Sequence, residues 1–215
     1  MLWRKMWRDF KNNIGQFISI FLMALLGVLV FAGIHAQWYG MQKEAEDFYK
    51  ENRLPDLWFF GRDFTERDCD KALAVEGVAA VARRLVFDGG ANLPGDPVLR
   101  FNVLEDNVLS RPLVRRGEEF SSCGEGLWLD ESFAQAHGLD VGDSLLIKGM
   151  GLEMEEEIAG LVMHPEYIFG SKDEMEFVPN HHTFGFAVIG RDYLPAWLPL
   201  VYNQLLIEIQ GDFDL

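Results

Sequence analysis

Residues 14–34, IGQFISIFLMALLGVLVFAGI, constrain the rest of the chain most, because no Asp, Glu, Lys or Arg occurs from Asn12 through Gln42. As a helix these residues extend about 31 Å, the hydrocarbon thickness of a bilayer. Thirteen of them are Phe, Ile, Leu or Val, which together favour insertion by about 4 to 8 kcal/mol. Residues 14–36 therefore read as a transmembrane helix. The rival reading is a cleaved signal peptide, since a basic stretch precedes the apolar run and Ile34-His35-Ala36 loosely matches a cleavage site. Against it, signal-peptide apolar regions are shorter than this one and the cleavage motif is poor.

Charge sets the expected orientation. Of the formal net charge of −15, the first 13 residues contribute +3 through Arg4, Lys5, Arg8 and Lys11 against Asp9, so that the remainder carries −18. Short basic flanks stay in the cytoplasm. The far flank begins with Lys43 followed by Glu44, Glu46 and Asp47, so the chain is expected in the cell membrane with its N-terminus in the cytoplasm and the residues after about 37 extracytoplasmic. An acidic external domain has no electrostatic reason to bind nucleic acid.

Before the span, Leu2, Trp3, Met6, Trp7 and Phe10 share one stripe of a helix and the basic residues take the other side, the pattern of an interfacial helix over 1–13 in contact with membrane lipid. Gly15, Ser19 and Gly27 form a ridge along the span where small side chains admit another helix. Trp38, Met41, Ala45, Phe48 and Tyr49 keep helical spacing beyond it, so a helical stalk is expected over 37–53, ended by Leu54-Pro55.

The domain from 54 to 215 reads as α+β. Strands are expected over 57–60, 78–87, 98–104, 126–129, 144–148, 155–162, 184–190 and 204–210, and helices over 65–75 and 131–137. Asp88-Gly89-Gly90 and Pro94-Gly95-Asp96-Pro97 read as turns. Asp130 is a helix cap and Gly138 a left-handed stop.

Catalytic motifs are missing. The sequence holds no phosphate-binding GxxxxGK[ST] loop, no GxSxG and no HExxH, so no catalytic, cofactor-binding or metal residues are assigned, and no cofactor. His164 with Glu166, and His181 with His182, match no metal-ligand spacing and read as loop histidines. Glu153, Glu155, Glu156 and Glu157 read as a solvated face. Ser132 and His137, five apart on one helix, are off register for a hydrogen bond. Cys69 and Cys123 fall outside the membrane, where a disulfide persists, but spacing alone does not decide whether they pair.

Residues 126–167, GLWLDESFAQAHGLDVGDSLLIKGMGLEMEEEIAGLVMHPEY, nevertheless resemble the extracytoplasmic core domain of FtsX-like, MacB-type ABC transporter permeases: a strand, a small helix, a GL-x-VGD turn and a hairpin ending in PEY, in that order. Arg8-Asp9-Phe10-Lys11, the start of the span and residues 57–61 resemble the opening of the large permeases of that family. The resemblance implies a first span, a porter-like subdomain with a β-rich insertion, further spans, and a separate cytoplasmic ABC ATPase subunit as partner. The other partners implied are the remaining permease helices or a second permease copy. The chain reads as the N-terminal part of such a permease, a fragment or one piece of a split protein, with the external domain incomplete at its C-terminus. The alternative is a single-span, membrane-anchored extracellular sensor or binding module. Residues 211–214 look like a capped helix start, and a helix beyond them would cover Leu205, Ile207 and Ile209. Without it those side chains are expected to be exposed and the amides of 204–210 to exchange fast.

Overall fold

The computed structural model describes residues 2–105, 109–168, 179–195, 197–198 and 200–211, so the helix start expected at 211–214 lies outside them except for Gly211. The chain divides into two compact units, Met1–Phe48 and Tyr49–Leu215, taken in turn.

In the first unit, α1 (Leu2–Asn12) gives way to α2 (Ile14–Glu51) at Asn13, whose carbonyl accepts from the amides of Gln16 and Phe17 at 3.0 and 3.2 Å. The rings of Phe10 and Phe17 meet across this junction, centroids 4.9 Å apart. None of α2 is buried, and it is long and apolar enough to cross a membrane. Ser19 Oγ donates to the Gly15 carbonyl at 2.9 Å, the local bond a hydroxyl makes when no better partner is near.

The second unit is a mixed α+β domain, as its alternating texture implies. Its strands are β1 (Leu57–Phe60), β2 (Val78–Ala91), β3 (Val98–Leu104), β4 (Leu113–Gly117), β5 (Leu127–Asp130), β6 (Ser144–Gly149), β7 (Leu152–Met163), β8 (Phe184–Gly190) and β9 (Gln204–Ile209). Its helices are α3 (Glu66–Leu73) and α4 (Glu131–His137). Thr65 N–H donates to Asp68 Oδ2 at 3.1 Å, the reciprocal capping that starts α3. Asp130 Oδ1 accepts from Ser132 N–H at 3.0 Å, and Gly138 ends α4 at φ 68°.

The first half of β2 pairs with β9, which pairs in turn with β1. The second half pairs with β3, and β3–β8–β5–β7–β6 returns to β2 through Gly90 opposite Lys148 and Ala91 opposite Ile147. Those six strands close into a small barrel. Its interior holds Leu99, Phe101, Val103, Leu127, Leu129, Ile147, Ile158 and Ile189, with Phe133 of α4 packed in. The three-stranded sheet is built from the ends of the domain and the barrel from what lies between, the arrangement of a subdomain with an inserted second one.

Three expectations change. Gly89 and Gly90 are not a turn but lie within β2. An added Cβ at Gly89 would collide with the Lys148 carbonyl and the Phe101 ring, so the glycine marks the close crossing of β6. A strand the sequence reading leaves out, β4, pairs with β7. Its residues Leu-Val-Arg-Arg-Gly offer too little apolar alternation to stand out. Finally, β9 is interior to its sheet. Leu205 and Ile207 are only 6 % and 7 % exposed, because β1 and β2 flank them; the exposed apolar surface falls instead on Leu57 and Phe59 of β1 and on Leu73 and Val75.

Gly89→Ala is expected to lower stability by about 1 to 3 kcal/mol through overpacking. Gly90→Ala, whose Cβ comes no nearer than 3.7 Å to the Pro97 carbonyl, should stay within about 0.5 kcal/mol. Thermal unfolding of the detergent-solubilised chain checks the contrast, and hydrogen exchange should find the β9 amides slow.

Candidate functional site

The polar side chains of the second unit converge where β2 leaves one sheet for the other. Arg84 is the last residue of β2 paired to β9 and Leu85 the first paired to β3. Arg84 is 1 % exposed, and a buried guanidinium is tolerated only when paired. Its Nη1 donates to Glu166 Oε1 at 2.7 Å, its Nη2 to Glu166 Oε2, and its Nε to Gln204 Oε1 at 2.7 Å. Ser110 Oγ donates to the same Glu166 oxygen as Nη1. Burial alone would raise the Glu166 carboxyl; the charge and hydrogen bonds of Arg84, with help from His164 and Ser110, prevail and hold it down at about 2.

Glu166 belongs to a 3-10 turn, Pro165–Tyr167, that follows β7. The turn is fixed from both sides. Glu166 N–H donates to His164 Nδ1 at 3.3 Å, which places the proton of a neutral imidazole on Nε2. Burial, reinforced by the neighbouring Arg84 charge, pulls the His164 pKa down to about 4. The His164 and Tyr167 rings pack on Phe186 of β8 at 5.7 and 4.8 Å, and Tyr167 Oη donates to Asn102 Oδ1 at 3.3 Å. The turn thus roots in the barrel while its carboxylate holds Arg84 of β2, which in turn bonds Gln204 of β9.

Beside this joint opens a cleft of about 860 Å3, floored by Arg84, Glu166, Gln204 and the Arg100–Asp88 pair and rimmed by Tyr49, Trp58, Phe60 and Phe87. Arg100 donates to both Asp88 oxygens, at 2.7 and 3.0 Å. The cations of the floor are thus matched by carboxylates. Ser110 and Arg84 both donate to the Glu166 carboxylate, so the arrangement holds the 165–167 turn to β2.

The other residues weighed in the sequence separate. His181 Nδ1 stands 3.9 Å from Asp130 Oδ2, and burial pushes the Asp130 carboxyl up to about 6. His182 instead meets the ring of His137, centroids 5.6 Å apart, so the adjacent histidines serve different neighbours. The amide of Ser132 is taken by Asp130. Glu153, Glu155 and Glu157 are exposed, but Glu156 is buried, a correction to the solvated-face reading. Strand alternation turns it inward, where it accepts from Tyr193 Oη at 2.5 Å. Among the described residues no three His, Cys, Asp or Glu side chains are placed to share a metal ion. Cys69 and Cys123 are both free thiols. The Arg84–Gln204 side of the joint escaped the sequence reading, since Glu166 and its partner Arg84 lie 82 residues apart.

The sequence matches no family model and no curated protein. Solved structures do resemble the fold. One is the extracellular domain of the noncanonic ABC-type transporter YknZ from Gram-positive bacteria, at 15 % identity and TM-score 0.46 over 69 % of this chain and 74 % of that one. Another is the periplasmic region of MacB from Actinobacillus actinomycetemcomitans, at 10 % identity and TM-score 0.45 over 73 % and 75 %.

Arg84→Met is expected to cost about 3 to 5 kcal/mol by stranding Glu166, and adding Glu166→Leu should recover most of that loss. Acid provides a second readout. Glu166 binds its proton near 4.5 when unfolded and near 2 when folded, so its stabilisation is complete above 4.5 and disappears as pH falls to about 2. His164 adds a loss between 6.5 and about 4, where the unfolded imidazole takes the proton first. Asp130, raised from 3.8 to about 6, acts in the opposite sense over that window. Below 4 the Glu166 contribution falls unopposed by Asp130, and Glu166→Gln should flatten the stability curve between 4.5 and 2.

Proposed function

We propose that this chain is part of the permease component of an ABC-type transporter, a non-enzymatic subunit that carries motion between the membrane and an extracytoplasmic domain. One observation supports this reading above the rest. The residues of the sequence resemblance, 126–167, fold as one continuous run of β5, α4, a left-handed Gly138, the β6–β7 hairpin and the 165–167 turn. The last of these, PEY, supplies the carboxylate of the buried joint. A motif with no catalytic chemistry then has a mechanical use: it ties the 165–167 turn to β2 at the point where that strand passes from the three-stranded sheet into the barrel.

In this reading α2 crosses the cell membrane with its N-terminus in the cytoplasm, and ATP is hydrolysed by a separate cytoplasmic subunit. Movement of the membrane helices is passed to a domain that resists internal bending at Arg84–Glu166. The open Gly15 and Gly27 positions, with nothing within 4 Å of an added Cβ, suit packing against further permease helices or a second permease copy.

Mild solubilisation of native membranes should co-purify the chain with an ABC ATPase; isolation of the chain alone, repeatedly, would count against the proposal. Orientation is checked separately. Cys123 is exposed, whereas burial raises the pKa of the half-buried Cys69 thiol. A membrane-impermeant maleimide should therefore label Cys123 on cells with an opened outer barrier, and faster than Cys69. Labelling only after lysis would mean the domain is cytoplasmic.

A further inference from the structure

Buried polar atoms without a partner are rare and costly, and among the described residues they gather around α4. Asp130 Oδ2, His181 Nδ1 and His137 Nε2 are each shut off from solvent with no hydrogen-bond partner. Asp130, 6 % exposed, precedes the helix, and its other oxygen is taken by the Ser132 amide. His137 is the last residue of the helix. Alongside lies the turn 180–183 that enters β8. The turn is closed on itself: the Asn180 side chain accepts from His182 N–H at 3.1 Å, and its carbonyl accepts from the amides of Thr183 and Phe184 at 3.0 and 3.1 Å. Gly185 then brings β8 so close to α4 that an added Cβ would stand 2.5 Å from the Phe133 ring. The two histidines of the turn consequently reach both ends of the helix. His181 Nδ1 stands 3.9 Å from Asp130 Oδ2, and the His182 ring meets that of His137.

At 3.9 Å the first pair is not hydrogen-bonded, yet both atoms are buried and face each other. One proton would satisfy both. A neutral ring with its hydrogen on Nδ1 would supply the bond, but it would leave the carboxylate charge buried and uncompensated. An imidazolium supplies bond and charge together.

We infer that Asp130 and His181 form a proton-operated clasp, which on taking up one proton closes to a charge-assisted hydrogen bond and holds the 180–183 turn against α4. Burial raises the Asp130 carboxyl to about 6, so the closed clasp binds the proton more tightly than the open one, and falling pH closes it. The remaining ionisable groups on the elements packed here are engaged elsewhere. Glu131 lies 3.7 Å from Arg115 of β4, Arg100 of β3 pairs with Asp88, and His164, just beyond β7, accepts the Glu166 amide. His137 and His182 act in reverse. Burial, with the nearby His182 charge, lowers the His137 pKa, and protonating both rings would push the turn from the far end of α4. The turn is therefore held most firmly over a band of mildly acidic pH and loosens on either side of it.

Hydrogen exchange of the detergent-solubilised full chain, corrected for the intrinsic effect of pH, tests this. The amides of His182, Thr183 and Phe184 should be protected about tenfold more at about pH 6 than at about pH 8. Asp130→Asn still caps α4 and offers His181 an N–H that does not titrate, so it should hold the turn equally at both pH values. His181→Ala should leave the turn loose at both. His182→Gln should keep the rise and remove the loss at more acid pH. Equal protection of the parent chain at the two pH values would overturn the inference. So would a rise that survives in Asp130→Asn or in His181→Ala, or one abolished by a metal chelator, which would assign the cluster to a cation instead.

Discussion

The domain depends on one strand belonging to two sheets. At Arg84 the partner of β2 changes from β9 to β3, and there a cation is buried where a core side chain would ordinarily stand. A buried ion pair is a poor source of net stability, since desolvation cancels most of the attraction. Its value is directional. Bidentate bonds to Glu166 fix one orientation of the 165–167 turn against β2, and a third from the same guanidinium to Gln204 ties that point of β2 to β9, whereas an apolar contact would allow many. Such a contact selects one orientation of the 165–167 turn on β2 from among those that packing alone would permit.

The barrel is the second half of that constraint. Closure brings β6 across β2, and at the crossing there is no room for a side chain on Gly89. Because the circuit leaves no open edge within the barrel, its polar backbone is satisfied internally. The apolar interior can then be continuous from Leu99 to Ile189. Among the described residues the strand order ends at the short strands β1 and β4.

Much of this architecture is legible in the sequence, for identifiable reasons. Long apolar runs and short capped helices announce themselves locally: α2 by its lack of charge, α3 by Thr65 and Asp68, α4 by Asp130 and Gly138. Strands with clear alternation or buried runs, such as β3, β8 and β9, are equally plain. What is not legible is non-local. Gly89 reads as a turn because glycine serves both turns and close crossings, and only the position of Lys148 distinguishes them. β4 is hidden by its two arginines. The burial of β9 follows from its place between β1 and β2, not from its own residues. Arg84 and Glu166 look like ordinary surface charges until the fold sets them together. Glu156 sits in an acidic run, and only the phenol of Tyr193 explains why it turns inward.

The placement of β9 beside β1 carries a consequence for how the chain reaches its native state. Arg53 and Glu208, neighbours across this sheet, are separated by 155 residues, and every contact of β1 with its partner strand is of comparable range. Contacts so distant form late, since a large loop must close before they are made. The barrel can start from the local hairpins β2–β3 and β6–β7, and even its parallel β3–β8 pairing spans fewer residues than the contacts of β1 with β9. During synthesis, Leu57 to Phe60 are completed long before any residue of β9 exists. The most apolar strand of the domain is therefore also the one that waits longest for a partner, and until the barrel has folded behind it, its aromatic side chains are in the care of whatever escorts the nascent chain.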